Sequence, residues 1–293
     1  MPRTKSSYPE ELVELSKSAI LELWRGLHKY NDAMILIGGW APYFILEKYG
    51  GESYNHDHIG SIDVDIAINT NIVSEEEYKT MEAIVIDLGY KQKKDSDQKP
   101  IPFVFEKSFS DGKFIMEVDF VGSYYGNEGH RHHRISGLLA RKCHGVDIAF
   151  DHYLEETIKG TFPDGGKTEE VVKIADIAGS LTMKGIVLGE RYKEKDAYDI
   201  YYLVSNYKNG PTDVADEINK NISNRLVQES LDTINKNFEK RDSSGPTWVA
   251  VFLDETGDEG ERRLTDVHMN VTEFLKHINL KDAKNDKINK KRF

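Results

Sequence analysis

Two aspartates separated by one residue carry the clearest chemical signal in the sequence. Asp63 and Asp65 lie in the run 62–66, where they alternate with isoleucine and valine. Because side chains alternate across a β-strand, both carboxylates are expected on one face and the apolar side chains on the other. Neighbouring carboxylates repel each other unless a cation lies between them, and oxygen ligands of this kind suit Mg²⁺. The pattern therefore predicts a divalent-metal site on this strand.

A Gly-Gly turn and a second acidic strand extend the pattern. An apolar run ends at Gly38 and Gly39, whose missing side chains leave room for backbone N–H groups to approach a phosphate. A later apolar run carries Glu117 and Asp119 at alternate positions, where a carboxylate is costly unless it is paired or binds metal. Three carboxylates from two adjacent strands can hold two divalent ions for an in-line phosphoryl or nucleotidyl displacement.

This order of motifs resembles the nucleotidyltransferase fold of the DNA polymerase β superfamily. The resemblance implies an NTP substrate and Mg²⁺ or Mn²⁺ as cofactor. It assigns Asp63 and Asp65 as metal ligands, and Asp119 as the third carboxylate, which binds metal and accepts the proton of the incoming hydroxyl. Glu117 shares a strand face with Asp119 and is an alternative for that role.

The residues around the glycines favour two branches of that superfamily. Trp40 stands where many members have a serine that contacts phosphate, and Gly-Gly-Trp-Ala resembles some antibiotic nucleotidyltransferases. Ser61 matches a hydroxyl position common in the toxin-type branch. By resemblance, Gly38, Gly39 and Ser61 are expected to hold the triphosphate.

A second group of charged residues lies in two predicted helices, 176–191 and 193–204. Spacing places Lys184 and Arg191 on one helix face, and Asp196 on a shared face with Asp199. Such residues either form a salt-bridged surface pair of helices or hold a triphosphate. With the tyrosines nearby, the pattern resembles the second motif block of the AbiEii/AbiGii toxin-type nucleotidyltransferases. There the resemblance implies that Lys184 binds nucleotide phosphate, with Arg191 beside it, and that Asp196 helps to position the lysine.

The predicted fold class is α/β (α+β). A nucleotidyltransferase-type mixed sheet flanked by helices is expected over 1–165, and a mostly helical C-terminal domain that contributes Lys184 over 166–293. The turn at 163–166 is expected near the domain change. Hydrophobic periodicity and turn residues predict further helices over 9–30, 40–49, 74–88 and 271–278, and one or two helices over 211–240. They predict strands over 33–37, 102–106, 113–121 and 146–149. The segment 248–253 is predicted as a strand or as an extended apolar segment.

Composition restricts the class of protein. The 293 residues carry a net charge of −11, which argues mildly against a nonspecific nucleic-acid binder. The single cysteine, Cys143, excludes an internal disulfide framework and fits a reducing cytosol. No apolar run approaches 18 residues, so we expect a cytoplasmic protein without membrane spans.

Two histidine-rich segments and the C-terminal tail carry alternative interpretations. His56 and His58 flank Asp57 in a polar loop. These residues could form a metal cluster, but the preferred interpretation is a loop that contacts substrate. The segment 130–133 is interpreted as a second metal site or, with preference, as a solvated basic loop or a loop that lies near anionic substrate. The lysine-rich segment 281–293 is either a frayed tail or a contact for RNA.

The function that these features favour is an Mg²⁺-dependent transfer of NMP from an NTP onto a hydroxyl of RNA, with the tRNA 3′ end as family precedent, or of protein. Such an enzyme would act as a toxin or in phage defence, and a cognate antitoxin is a possible partner. Alternatives are an antibiotic or other small-molecule nucleotidyltransferase, and a non-catalytic nucleotide-binding member of a toxin–antitoxin system. A metal-dependent phosphohydrolase that uses His56, His58 or His132 is a further alternative.

Overall fold

The computed structural model describes residues 4–109, 112–123, 132–134, 139–191 and 193–279. These residues form two compact units. The sheet unit comprises the described residues of 8–41 and 60–176, and the helical unit those of 1–7, 42–59 and 177–293. The predicted boundary near 165 falls in a turn between two paired strands, and the sheet unit continues to Asp176.

One mixed sheet forms the framework of the sheet unit. Its strand order is β3-β4-β5-β2-β1-β9-β8, with β7 beside the end of β5 and β6 beside β7. β1 runs antiparallel to β2 and parallel to β9, while β2 runs parallel to β5. The strands are β1 (Met34–Ile37), β2 (Asp63–Ile68), β3 (Lys91–Lys94), β4 (Pro100–Phe109), β5 (Phe114–Ser123), β6 (His132–Arg134), β7 (Leu139–Cys143), β8 (Tyr153–Thr161) and β9 (Lys167–Ala175).

Two helices pack within the sheet unit. α1 (Glu10–Gly26) buries an apolar stripe that includes Leu23 and Trp24, and it contacts β2, β5, β8 and β9. α3 (Glu75–Asp87) begins with the predicted capping box, in which Ser74 and Glu77 each accept a hydrogen bond from the other's backbone N–H. The helical prediction over 9–30 was too long, because a 3₁₀ turn, His28–Ala33, follows α1.

Helices make up most of the helical unit. They are α2 (Trp40–Tyr49, whose first two residues belong to the sheet unit), α4 (Ile177–Arg191), α5 (Glu194–Asn206), α6 (Pro211–Asn219), α7 (Arg225–Phe238), α8 (Ser244–Phe252) and α9 (Gly257–Lys276). Gly185 lets α4 and α7 approach closely, since a Cβ there would lie 2.0 Å from the hydroxyl oxygen of Ser230. The predicted mixed sheet with helices, followed by a mostly helical C-terminal region, is thereby confirmed.

Three element predictions were wrong in detail. The segment 146–149, predicted as a strand, lies in a 3₁₀ turn, Val146–Phe150. The segment 248–253 lies mostly in helix α8, because a short apolar run has too few residues for its period to separate helix from strand. The helix predicted over 271–278 begins fourteen residues earlier, since the polar first half of α9 carries few apolar side chains.

No helix in the described part of the chain is long and apolar enough to span a membrane.

Candidate active site

Acidic side chains from two neighbouring strands share one face of the sheet. In the parallel pairing of β2 with β5, Asp63 lies beside Glu117 and Asp65 beside Asp119. In-register partners on adjacent strands point the same way and lie about 4.8 Å apart. All four side chains are partly buried, whereas the alternating residues on the other face, such as Val64, are fully buried. The alternation read from the sequence therefore holds on both strands.

A third strand adds a carboxylate to this row. Glu106 of β4 is the in-register partner of Glu117, and so it lies on the same face. The sequence did not reveal Glu106, because the pairing register of β4 is set by its neighbours and not by a local motif. Glu117 forms an ion pair with Lys93 of β3. Glu117 is therefore already engaged by a cation of the sheet unit, and the assignment of Asp119 as the third carboxylate stays a prediction.

The Gly-Gly turn lies directly against Asp65. Gly38 has a φ of +69°, and a Cβ built there would lie 2.0 Å from Oδ2 of Asp65. Both the left-handed backbone and the close approach require glycine at this position. A Cβ at Gly39 would lie 2.8 Å from the hydroxyl oxygen of Ser61. The turn therefore packs its backbone against the segment that carries the two aspartates.

Ser61 and Trp40 have structural partners in the sheet unit. The buried Ser61 hydroxyl donates a hydrogen bond to Oδ1 of Asp63, and this contact orients the carboxylate. The contact of Ser61 with triphosphate stays a prediction. The indole N–H of Trp40 donates to the hydroxyl of Ser16 at 2.9 Å, and the Trp40 side chain is buried. Trp40 thus packs inside the sheet unit, although many members of the family that the sequence resembles have a phosphate-contacting serine here.

The acidic face offers oxygen ligands for a divalent ion but no complete metal site within the described residues. Within the described residues, no group of three or more His, Cys, Asp or Glu side chains is arranged to hold a metal by itself. Mg²⁺ is usually bound by one or two carboxylates together with substrate phosphates. Asp63, Asp65 and Asp119 offer only oxygen ligands on a shared face, which is the donor chemistry that Mg²⁺ or Mn²⁺ prefers.

The second motif block forms a buried ion cluster in the helical unit. Nζ of Lys184 on α4 lies 3.0 Å from Oδ1 of Asp196 and 2.6 Å from Oδ2 of Asp199, both on α5. Arg191 makes two hydrogen bonds to Asp196, through Nε at 2.9 Å and Nη2 at 3.0 Å. A salt-bridged surface pair of helices was one of the two interpretations of the spacing, but both carboxylates and Lys184 are buried. Only Arg191, with 38% of its side chain exposed, extends towards solvent.

Two further residues complete this cluster. Lys195 forms an ion pair with Asp199, and Nε2 of His58 lies 3.1 Å from Oδ1 of the same aspartate. His58 was predicted to lie in a loop that contacts substrate, and its side chain is instead fully buried. Its polar sequence neighbours concealed this burial, because the apolar surroundings of His58 come from α5, which is far away in the sequence.

Burial and the neighbouring charges shift the pKa values of Asp199, Lys184, Lys195 and His58. Burial alone would raise the pKa of Asp199, but Lys184 and Lys195 outweigh it and lower that pKa well below its usual range. Burial alone would lower the pKa of Lys184, but the charges of Asp199 and Asp196 outweigh burial and raise that pKa. For Lys195, burial prevails and lowers the pKa. Burial, followed by the charge of Lys195, lowers the pKa of His58 to about 4. At neutral pH, His58 is therefore an uncharged member of the cluster.

The structure describes some of the other histidines for which predictions were made, but not the C-terminal tail. His56 is largely exposed, and its Nδ1 lies 3.0 Å from Oε1 of Glu47. His132 and His133 belong to β6, although they were predicted in a loop. His130, the side chains of β6 and the segment 281–293 lie outside the described residues.

Comparison with known proteins returned no matching family model, and no curated protein matches the sequence significantly.

Proposed function

We propose that this protein is an Mg²⁺-dependent nucleotidyltransferase that moves NMP from an NTP onto an acceptor hydroxyl. The observation that carries the proposal is the in-register pairing of Asp65 with Asp119 on adjacent parallel strands. Asp63 precedes Asp65 by two residues and lies on the same face of the sheet. The packing of Gly38 against Asp65 adds support, since it brings the backbone of a Gly-Gly turn beside the Asp65 carboxylate.

The three aspartates of the acidic face and Ser61 have proposed roles in this reaction. Asp63 and Asp65 would hold the divalent metal, and Ser61 orients Asp63. Asp119 would be a further ligand of the metal, and it accepts the proton of the acceptor hydroxyl. That oxygen bonds to the α-phosphorus as the bond from the α-phosphorus to the bridging oxygen breaks, and pyrophosphate leaves. Bound Mg²⁺ would supply charge neutralisation for the triphosphate.

The helical cluster is the proposed phosphate-binding part of the helical unit. Three cationic side chains surround two carboxylates there, which leaves excess positive charge where an anion can be bound. Because Lys184 is already held by two carboxylates and buried, we assign the first contact with phosphate to the more exposed Arg191. The buried Lys184 then adds positive charge from within the same cluster, and Asp196 positions both Lys184 and Arg191.

The proposed acceptor is a hydroxyl of RNA or protein, as in toxin-type enzymes. The resemblance of the helical motif block supports this choice. The Gly-Gly-Trp-Ala similarity to antibiotic enzymes does not favour a small-molecule acceptor, because the Trp40 side chain is 1% exposed and packs against Ser16.

Label transfer tests this proposal. Each α-labelled NTP is incubated with Mg²⁺ and total RNA, protein extract, or an aminoglycoside and lincosamide panel. We expect wild type to label RNA or protein, and Asp63→Ala/Asp65→Ala to label nothing. Asp97→Asn, which removes an exposed carboxylate of the sheet unit, is the matched control and should act as wild type. Label on small molecules alone would correct the acceptor, and no transfer to any acceptor would contradict the proposal.

A further inference from the structure

We infer that His58 is a positioning residue that orients Asp199, so that this carboxylate holds the ammonium group of Lys184 in place for phosphate binding. The inference rests on the proposed phosphate-binding role of the helical cluster, and it gives His58 a role different from the two that its sequence suggested.

The two oxygens of Asp199 have different partners. Oδ1 faces Nε2 of His58 at 3.1 Å and also Lys195, while Oδ2 lies 2.6 Å from Nζ of Lys184. An ionised carboxylate can only accept hydrogen bonds, so Nε2 of His58 must carry the proton. The His58 imidazole is thus a donor that fixes one side of Asp199, and the opposite oxygen is thereby directed at Lys184.

An uncharged donor suits this position better than another cation. Lys184, Arg191 and Lys195 already supply the positive charge, and each is paired to Asp196 or Asp199. A neutral imidazole satisfies the buried carboxylate without competing with Lys184 for its charge. The neutrality of His58 at physiological pH is consistent with the lowering of its pKa by burial and by Lys195.

The imidazole ring is also held in one orientation. It packs against the rings of Tyr198 and Tyr202 of α5, with centroids 5.2 and 5.7 Å away. The backbone N–H of His58 donates to the hydroxyl of Tyr54 at 3.2 Å, and that of Ile59 donates to the hydroxyl of Tyr198 at 3.0 Å. A donor fixed on both its ring and its backbone loses little entropy when it orients a partner, as a positioning residue requires.

NTP binding in variants of His58 tests the inference. Equilibrium dialysis with labelled NTP and Mg²⁺ compares wild type with His58→Leu, which removes the donor, and His58→Gln, which replaces it at similar reach. We expect about tenfold weaker binding for His58→Leu, the effect of one lost hydrogen bond to a charged group, and recovery to near wild type for His58→Gln. Val204→Ala removes buried volume from the same helix and controls for loss of stability alone. It should bind NTP as wild type does.

Several outcomes would overturn the inference while leaving the proposed function intact. They are wild-type binding by His58→Leu, failure of His58→Gln to restore binding, and an equal loss in Val204→Ala. If His58→Leu does not fold, His58→Asn takes its place, because its shorter amide cannot reach Asp199. If wild type binds no NTP, the proposed function itself fails, and the role of His58 in phosphate binding fails with it.

The nitrogen NMR spectrum of the imidazole gives a second readout that needs no nucleotide. With His58 labelled, we expect a neutral ring protonated on Nε2 at pH 7. A ring protonated on Nδ1 alone, or a doubly protonated ring, would contradict the orientation on which the inference depends.

Discussion

Asp65 and Gly38 show how one residue type constrains another at the acidic face. Asp65 can lie on β2 with its carboxylate against the preceding turn only because position 38 has no side chain. The left-handed φ of Gly38 imposes the same requirement independently. Glycine here is needed for the position of a carboxylate as well as for the turn.

We therefore predict that Gly38→Ala lowers stability and abolishes nucleotidyl transfer. A left-handed residue with a Cβ costs about 1–2 kcal/mol, and the added carbon must also displace the Asp65 carboxylate. Urea denaturation and label transfer measure the two effects. Gly165→Ala is the matched control, since Gly165 has a φ of +96° with no atom within 4 Å of its Cβ position. It should lose a similar amount from strain alone and keep its activity; equal activity in both variants would contradict the prediction.

The buried His58 predicts how stability depends on pH. The pKa of His58 is about 4 in the folded protein, whereas an imidazole in the unfolded chain has the ordinary value of 6.5. The unfolded chain therefore binds the proton first as the pH falls. Stability should thus decrease between pH 6.5 and 4, by about 3 kcal/mol in total. Urea denaturation at pH 7, 6 and 5 measures this slope. His58→Gln should flatten it, whereas Val204→Ala, which removes buried volume but no titratable group, should leave the slope unchanged. An unchanged slope in His58→Gln would refute the prediction.

At the level of elements, features that depend on neighbouring residues could be predicted from the sequence, whereas features that depend on long-range pairing could not. The alternation in β2 and β5 and the capping box of α3 depend on neighbouring residues, and the structure contains them. Glu106 and His58 could not be predicted, because their roles come from the register of β4 and from packing against α5. Short apolar segments such as 248–253 were misassigned, since their tertiary packing decides between helix and strand.

Packing of α4 on α7 should depend on Gly185. Gly185→Ala would place a methyl group 2.0 Å from the Ser230 hydroxyl oxygen, and we expect a loss of about 1–3 kcal/mol from overpacking. Gly189→Ala, one turn later, would place its methyl group no closer than 3.2 Å to any of these neighbours, the nearest being Cγ2 of Thr233. Alanine gains about 1 kcal/mol in helix propensity, so that variant should be nearly neutral. Thermal denaturation compares the two, and an equal loss in both would show that close approach at Gly185 is not the cause.

At the scale of the whole molecule, the predicted functional residues are divided between the two units. The aspartates and glycines belong to the sheet unit, and Lys184, Arg191 and Asp196 to the helical unit. The helical unit also contains 42–59, a segment between the Gly-Gly turn and β2. A boundary placed once along the chain could not capture this division, because composition and turn signals report local changes and not which distant segments pack together.

The net charge of −11 likewise conceals local arrangement. The acidic row on the sheet and the cation-rich cluster on α4 and α5 have opposite local character, although both belong to one acidic chain. Overall charge therefore bears on nonspecific association more than on the chemistry of either group.

The most direct test of the central claim measures Mn²⁺ binding, because it needs no knowledge of the acceptor. Equilibrium dialysis with Mn²⁺ and each NTP, read by electron paramagnetic resonance, would compare wild type with Asp65→Asn and with the exposed control Asp97→Asn. We predict that wild type and Asp97→Asn retain Mn²⁺ together with NTP, and that Asp65→Asn loses at least tenfold in Mn²⁺ affinity, as expected when a metal ligand or its support is removed. Equal Mn²⁺ retention by wild type and Asp65→Asn would contradict the assignment of the acidic face as the metal site.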